Sequence, residues 1–372
     1  MQKESRFRRI IPINLPSLNQ IRSITSAIKT LNGLQNFEQS ALPSVREQDG
    51  YYPGLSNEDI PLKIFHPKNP TGAVLILYPG ASPKGEAHPR MIALARSIAV
   101  NGIQVYIPRI PPLINLILSK SILEWTVHFY RWLKTQPRYE NSPINLAGIS
   151  FGGVIVLKAC LDPFLLQQPP KSVIVFGTSY NVKTSMEFMY NGRIDYNGNI
   201  IKLTPDPWSV IVLFHNYLNQ VDIGYPTNGI QKVLQLMVRD QDDQAQDLID
   251  DLVGEEKFLI KDITELNKSD EFNRIMDIIF RDCADQIEFF SPKYWCKNIS
   301  NEVYIMHGTH DTLSPFTESI KLDSELSNSH LFISNIFKHR ALSSEMSTFL
   351  KWKETLKIIL FLSQYYRGGL LS

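Results

Sequence analysis

The stretch Ile144-Asn145-Leu146-Ala147-Gly148-Ile149-Ser150-Phe151-Gly152-Gly153 decides how the chain is interpreted. It predicts a short apolar strand, then a Gly-x-Ser-x-Gly turn, then a helix that begins near Val154. Such a turn strains the serine backbone and holds the hydroxyl clear of the sheet. A β-carbon at Gly148 or Gly152 would clash with the neighbouring strand and helix. The free N–H groups of the helix N-terminus favour developing negative charge, so we interpret Ser150 as a candidate nucleophile.

The composition of the 372 residues is typical of a soluble globular protein with a large core. The net charge of +1 argues against nucleic acid as a partner. Three widely spaced cysteines, Cys160, Cys283 and Cys296, indicate neither a disulfide framework nor a zinc site. We expect no metal and no organic cofactor. With no evident secretory signal and no apolar run of about 18 residues, we expect a cytoplasmic protein.

Strand and helix patterns alternate from Ile60 onward. This rhythm predicts the α/β class, with a mainly parallel central sheet and helices on both faces. Pro61 makes the first of these strands a predicted edge strand, because proline cannot donate to a central ladder. The predicted strands are 60–65, 73–78, 103–108, the strand before Gly148, 172–177, 302–307 and 330–334, and the predicted helices include 89–99, 121–134 and 348–366.

The rhythm divides the chain into three parts. Residues 1–55 are predicted to be an N-terminal extension, residues 56–180 and 291–372 the core, and residues 181–290 an inserted, mostly helical cap. We interpret the acidic run within the cap as a solvated helix face rather than a metal site.

Apolar residues recur at helical spacing in the extension: Leu18, Ile21, Ile24, Ile28 and Leu31. We interpret them as an amphipathic helix that packs on the core. An interfacial membrane helix is the alternative, and five basic residues would suit it: Arg6, Arg8, Arg9, Arg22 and Lys29. Serine and threonine on the polar face of the helix make that alternative the less favoured one.

A serine nucleophile needs a base, and the base needs an orienting carboxylate. Asp311 follows the predicted strand 302–307 directly, at the strand end where open parallel sheets gather catalytic groups. Glu325 is the alternative acid, although it lies in a predicted helix. The candidate base is His339, beyond the last predicted strand, which gives the order Ser150, Asp311, His339.

Three further histidines lie near these candidates in the sequence. His330 is the rival base, but it precedes the last strand and so falls on the wrong side of the sheet. His307 and His310 are expected to tune or pack around the Asp311 loop.

An acyl-transfer intermediate also needs hydrogen-bond donors aimed at its oxyanion. The predicted donors are the backbone N–H of Phe151 and that of Ala81, in the loop after strand 73–78. We expect Glu86 and His88 to bond within that loop or to cap the helix that begins at Pro89.

These motifs resemble the α/β-hydrolase superfamily over residues 60–180 and 291–372. The residues that carry the resemblance are Gly148-Ile149-Ser150-Phe151-Gly152-Gly153, His307-Gly308-Thr309-His310-Asp311 and His339. Many relatives carry His-Gly at the oxyanion loop, whereas this chain has Tyr78-Pro79-Gly80-Ala81. The resemblance implies a serine esterase, lipase or related acyl hydrolase whose cap covers the active site.

The predicted function is therefore hydrolysis of a small-molecule carboxylic ester through an acyl-enzyme. Apolar cap residues favour an apolar acyl group; they are Phe188, Met189, Tyr190, Trp208, Val210, Ile211, Val212, Leu213 and Phe214. We expect most of them to form the cap's own core. An acyltransferase or thioesterase with the same triad, or a non-catalytic binding protein on this fold, are the alternatives.

Overall fold

A computed structural model describes residues 17–35, 44–335 and 348–371. Its strands are β1 (Val45–Pro53), β2 (Asp59–Pro67), β3 (Val74–Tyr78), β4 (Gln104–Pro108), β5 (Ile144–Ile149), β6 (Val173–Phe176), β7 (Arg193–Tyr196), β8 (Asn199–Lys202), β9 (Val303–Gly308) and β10 (Ser329–Ser334). Its helices are α1 (Leu18–Gln35), α2 (Pro89–Ala99), α3 (Pro111–Ile114), α4 (Ser121–Lys134), α5 (Phe151–Ala159), α6 (Pro163–Gln167), α7 (Val182–Asn191), α8 (Pro207–Tyr217), α9 (Asn228–Met237), α10 (Asp242–Asp251), α11 (Gly254–Glu265), α12 (Asp270–Asp282), α13 (Ala284–Phe289), α14 (Phe316–Glu325) and α15 (Thr348–Tyr365).

Eight strands form one sheet in the order β1-β2-β4-β3-β5-β6-β9-β10. β2 pairs antiparallel with β1 and with β4, and the pairs from β4 to β10 are parallel. β3 and β4 are buried along their whole length, as expected of strands that are covered on both faces. The predicted α/β class with a mainly parallel sheet is confirmed.

Helices cover both faces of the sheet. Side chains of α1, α2 and α15 pack on one face around Leu75 and Val105, and those of α4 and α5 pack on the other around Ile76 and Leu146. This split follows the alternation of side chains along each strand. Helices of the insertion belong to the same apolar cluster as α4 and α5, so the insertion and the core are packed as one body on that face of the sheet.

The prediction that strand 60–65 lies at the edge of the sheet is wrong. β1 lies outside β2 and pairs with it from Val45 to Pro53, so residues before 56 supply the edge strand. The last residue pair between β2 and β4 is Leu62 with Pro108. Pro61 lies one residue beyond that pair, so its missing N–H is tolerated. β1 was not predicted, since its sequence Val-Arg-Glu-Gln-Asp-Gly-Tyr-Tyr-Pro is largely polar and exposed.

The insertion between β6 and β9 contains helices α7 to α13 and the hairpin β7–β8. It is mostly helical, as predicted for a cap. Its two ends are tied together, because Val182 N–H donates to Ser291 Oγ at 3.0 Å and Lys293 N–H donates to the carbonyl of Tyr180 at 2.9 Å. The insertion therefore leaves and rejoins the core at one place, beside β9.

Helix α1 packs against α2 and α15, which confirms a helix on the core. The residues that face the core differ from the expected ones. Leu31 is buried, but Leu18, Ile21 and Ile28 of the predicted apolar stripe are exposed. Small residues of the opposite face make the contact instead.

Candidate functional site

Ser150 occupies the sharp turn between β5 and α5. Its backbone has φ 54° and ψ −126°, a combination outside the left-handed helical region and costly for any residue with a β-carbon. The turn is held by a hydrogen bond of 2.7 Å from Ser150 N–H to the carbonyl of Phe176 on β6. Ser150 is half-buried, and its hydroxyl makes no hydrogen bond with any residue that the structure describes.

Close packing explains why glycines flank the serine. A β-carbon at Gly148 would lie 2.6 Å from the carbonyl oxygen of Gly152, and one at Gly152 would lie 2.4 Å from that of Pro79. Both distances are shorter than real contacts allow, so only glycine fits. The clash expected from the sequence is confirmed, with the loop after β3 as an additional neighbour.

The loop after β3 passes directly beside Ser150. A β-carbon at Gly80 would be 3.1 Å from Ser150 Cβ and 3.0 Å from the carbonyl oxygen of Ile149. Ala81 comes next in the chain. Within the described ranges, the N–H groups of Ala81 and Phe151 donate to no other group. Two backbone N–H groups without a partner among the described residues therefore lie close to Ser150, one from each segment.

The sheet order, with two antiparallel strands at one edge and the serine turn after the fifth strand, decides the architecture. The chain has the α/β-hydrolase fold. Within this fold the catalytic edge is the one at which the parallel strands end. β5 and β9 are separated by β6, so the ends of these two strands lie about 10 Å apart at that edge.

Asp311 lies in the loop at the end of β9 and is buried. Its Oδ1 accepts hydrogen bonds from the N–H groups of Leu313 at 2.8 Å and Ser314 at 3.0 Å. Its Oδ2 lies 3.5 Å from His307 Nε2. Backbone donors favour the ionised carboxylate. The loop thus holds one carboxylate in a fixed orientation at the edge where Ser150 stands.

His307 supports this loop and is itself fully buried. Its Nε2 lies 3.0 Å from the carbonyl of Ser314, and its Nδ1 lies 2.7 Å from Ser319 Oγ. Since a carbonyl only accepts, Nε2 carries the proton and Nδ1 accepts from the Ser319 hydroxyl. The interpretation of His307 as a packing residue around Asp311 fits this network. Nothing in the sequence pattern pointed to Ser319.

The rival residues have structural partners elsewhere. Glu325 ends α14 and pairs with Lys297 at 2.8 Å. His330 Nε2 lies 3.0 Å from Glu302 Oε1, and Gln364 Nε2 lies 2.9 Å from its Nδ1, both near the start of β10. His310 is exposed, and its Nδ1 lies 3.0 Å from Thr309 Oγ1.

His339, the predicted base, lies outside the described residues. The last described residue before it is Asn335, whose side-chain oxygen accepts from Thr309 Oγ1 at 3.2 Å. Thr309 N–H also donates to the carbonyl of Ser334 at 2.9 Å. The end of β10 is therefore held beside Thr309, which precedes Asp311 by two residues.

The polar residues that follow in the loop after β3 have structural roles. His88 caps α2, as its Nδ1 accepts from the N–H of Arg90 at 3.2 Å. Glu86 is buried, and its Oε1 accepts from Arg109 Nη2 at 2.6 Å. The capping expected of His88 is confirmed, whereas the pairing of Glu86 with Arg109 after β4 was not predicted, because the partners are 23 residues apart.

The insertion touches the site at two places. The Phe151 ring packs edge-on against Phe290 with centroids 5.0 Å apart. Tyr196 of the hairpin packs on Phe316, which begins α14 just after the Asp311 loop, with centroids 5.2 Å apart. Of the apolar cap residues named above, Phe188 and residues 210–214 are buried within the protein. Met189, Tyr190 and Trp208 stay partly exposed.

No cluster of three metal-ligating side chains, and no helix long and apolar enough to span a bilayer, occurs in the described part of the chain. Cys296 is buried, and burial raises the pKa of its thiol to about 11. A protonated thiol is a poor nucleophile, so Cys296 belongs with the packing residues.

No protein-family model and no curated protein matches the chain, but solved structures with a similar fold do. An acylaminoacyl peptidase of Pyrococcus horikoshii is 12% identical over 92% of this chain and 44% of its own, with a TM-score of 0.48. An esterase of Pyrococcus furiosus is 12% identical over 88% and 95%, with a TM-score of 0.45. An esterase of the bacterial hormone-sensitive lipase family is 12% identical over 94% and 99%, with a TM-score of 0.46. The chain spans less than half the length of the peptidase.

Proposed function

We propose that the chain is a serine hydrolase that cleaves a carboxylic ester with an apolar acyl group. The strained backbone of Ser150, with the unpaired N–H groups of Phe151 and Ala81 beside it, is the observation that supports this proposal most strongly. A fold alone does not specify chemistry. A backbone that costs energy to maintain, and that presents a hydroxyl between two free donors, suits acyl transfer.

In the first half-reaction His339 takes the proton of Ser150 as Oγ attacks the ester carbonyl. Asp311 orients His339 and stabilises its cationic form, since the carboxylate is already fixed by two backbone N–H groups. The oxyanion accepts hydrogen bonds from Phe151 and Ala81. Collapse of the intermediate breaks the ester C–O bond, and His339 gives its proton to the departing alcohol.

In the second half-reaction His339 removes a proton from water, which attacks the acyl-enzyme carbonyl. The same two N–H groups stabilise the second tetrahedral intermediate, and Ser150 Oγ leaves with the proton from His339. The acid product is released and the enzyme returns to its starting state. Every group that reacts in these two half-reactions belongs to the chain, the substrate or water.

The proposed acyl preference is supported by apolar side chains next to the serine and in the insertion. Phe151 adjoins Ser150 and its ring packs on Phe290, and Met189, Tyr190 and Trp208 of the insertion are partly exposed. Binding pockets are lined mainly by apolar side chains with a few polar groups. An uncharged ester with an apolar acyl group is therefore the substrate class we propose.

The test is covalent labelling of the folded protein with a fluorophosphonate, followed by intact mass measurement. The full chain should gain one adduct, and Ser150→Ala should gain none while it keeps the same melting temperature. Ser82→Ala, which removes a hydroxyl from the neighbouring oxyanion loop, is the matched control and should label like the parent.

Turnover separates the substrate classes. The same apolar acyl group is offered as a nitrophenyl ester and as a nitroanilide. Hydrolysis of the ester that depends on Ser150 supports the proposal, and turnover of the anilide at a comparable rate would assign the site to peptides instead. An unlabelled full chain, or label that persists in Ser150→Ala, would overturn the mechanism.

A further inference from the structure

Helix α1 contacts the core through small polar residues. Ser23 Oγ lies 2.9 Å from Ser363 Oγ of α15, and Thr30 Oγ1 lies 2.6 Å from the hydroxyl of Tyr366. Ser23, Ser26, Ala27 and Thr30 are all buried. Small side chains let α1 approach its neighbours closely, and these hydrogen bonds satisfy their hydroxyls. The polar face of α1 is therefore the face that packs inward.

The opposite face of α1 leaves large apolar residues exposed. Leu18 is 85% exposed, and Ile21 and Ile28 are also exposed. The two isoleucines are seven residues apart, and so they project on the same flank of the helix. A helix of a globular protein normally turns such residues toward the core. In α1 the small polar residues face the core and the large apolar residues face outward.

Helix α15 packs beside α1 and exposes large apolar residues of its own. Trp352 and Leu360 are each 63% exposed, and Leu356 is exposed as well. They are spaced by four residues along one helix stripe. We call the six exposed residues Leu18, Ile21, Ile28, Trp352, Leu356 and Leu360 the α1/α15 face. Scattered exposed apolar residues are normal, but several large ones exposed on two adjacent helices indicate an interaction site.

The charges around the α1/α15 face have one sign. Arg22, Lys29 and Lys353 are exposed on the same two helices. α1 contains no carboxylate, and the single one in α15, Glu354, is buried and pairs with Lys357 at 2.7 Å. The face therefore combines apolar side chains with cations and has no exposed anion of its own.

A groove beside α1 extends this cationic surface. It has a volume of about 320 Å³ and lies between α1 and the loops that precede β3 and β4. Arg22, Lys29 and Lys68 line it together with hydroxyl and amide groups, and no aspartate or glutamate is among its lining residues. Lone cations in a polar groove fit an anionic group such as a phosphate.

The charge decides which partner fits. A second copy of the chain would set these cations against one another, because a two-fold interface brings the same patch together. The chain's own segments 1–16 and 336–347 are also basic, with four and two Lys or Arg against one Glu each. An anionic surface with an apolar interior satisfies both features.

We propose that the α1/α15 face docks the protein on an anionic lipid bilayer. Leu18, Ile21, Trp352, Leu356 and Leu360 enter the boundary between headgroups and acyl chains, and the lysines and arginine contact the headgroups. Tryptophan suits this boundary, since its ring is apolar and its N–H is polar. This docking does not depend on the chemistry of Ser150.

The test is co-sedimentation of the full chain with phosphatidylcholine vesicles, with and without phosphatidylserine. The chain should sediment with the anionic vesicles and be released by high salt, and it should stay in solution with the neutral ones. Trp352→Ser with Leu360→Ser should lower partitioning more than about tenfold. Arg22→Gln with Lys29→Gln and Lys353→Gln should do the same and remove the salt dependence.

Matched controls come from the insertion. Val253→Ser with Phe258→Ser removes two exposed apolar side chains, and Lys232→Gln with Lys261→Gln and Lys268→Gln removes three exposed cations. Both control proteins should bind like the parent, and all variants should keep the parent melting temperature.

The proposal is wrong if the full chain ignores anionic vesicles, or if the controls lose binding as much as the α1/α15 variants. A dimer that Trp352→Ser with Leu360→Ser dissociates, without vesicle binding by the parent, would assign the face to a second copy.

Discussion

At the scale of single residues, Asp311 and Glu325 test the choice of acid. Asp311→Asn keeps an oxygen for the N–H groups of Leu313 and Ser314 but loses the charge that stabilises a cationic base. We expect kcat for ester hydrolysis to fall by up to about 10⁴-fold, the size of loss that follows when a triad aspartate of a serine protease is replaced by asparagine. Glu325→Gln should leave kcat unchanged, because its carboxylate pairs with Lys297 at the end of α14.

Steady-state kinetics on one soluble ester measure both variants, with melting temperatures as a control for folding. A mild Asp311→Asn together with a damaging Glu325→Gln would show that the acid is misassigned. Equal losses in both would point to a fault in the fold of the β9–α14 region rather than in the chemistry.

The residues of the serine turn were predictable because the pattern is local. The clash at Gly148 is with atoms of Gly152 and Gly153, so the spacing of two records it, whereas the clash at Gly152 is with Pro79 and comes from the folded sheet. The role of His307 required more than the sequence, since Ser314 and Ser319 become its partners only when α14 folds back on β9. The assignment of His339 stays a prediction.

At the scale of elements, Glu354 links α15 to the end of β10. Its Oε2 accepts from the N–H of Asn335 at 3.3 Å and its Oε1 from Lys357 Nζ. Burial alone would raise the pKa of Glu354, but Lys357 and the Asn335 N–H outweigh burial and lower it below 4.5. A carboxyl whose pKa is lower in the folded state stabilises the fold above its unfolded pKa.

Glu354→Gln should therefore reduce the free energy of unfolding at pH 7. The difference from the parent should shrink as the pH falls below about 4.5 and vanish below the folded pKa of Glu354. Urea unfolding of both proteins at several pH values between neutral and acid measures it. Glu265→Gln replaces an exposed carboxylate at the end of α11. Its difference from the parent in free energy of unfolding should not shrink in this way as the pH falls. A pH-independent loss in Glu354→Gln would show that the ion pair contributes nothing.

Element positions were largely predictable, but the surroundings of each element were not. The predicted helix 121–134 coincides with α4, and the strands β3 to β6 fall where continuous apolar runs lie. Periodicity placed α1 as well, yet it assigned the wrong face to the core. It could not reveal that Ser363, Ser97 and Tyr366 would supply partners for the hydroxyls of Ser23 and Thr30.

At the scale of the whole molecule, helix α1 and the turn at Ser150 are related through the sheet. Helices α1 and α15 cover one side of the sheet. The first turns of α15 lie near the edge where β9 and β10 end, since Glu354 accepts a hydrogen bond from Asn335 there. A bilayer bound to the α1/α15 face would therefore lie next to the edge that carries Ser150. The sequence patterns predicted helix α1 and the serine turn separately, and only the folded sheet shows how the two lie relative to each other.

The insertion gives the last prediction, which concerns substrate length. Phe188 and residues 210–214 are buried in the protein, so they fill the insertion and do not line a cleft. Met189, Tyr190 and Trp208 are partly exposed, and so is Phe151, which adjoins the serine in the chain. Each methylene buried among such side chains contributes about 0.8 kcal/mol.

For nitrophenyl esters of increasing acyl length, kcat/KM should climb up to about fourfold per carbon until the pocket is full. The assay uses lipid-free buffer and concentrations below ester aggregation, with Ser150→Ala as the blank. A flat or falling profile from acetyl onward would contradict an apolar acyl pocket and leave the role of Ser150 untouched.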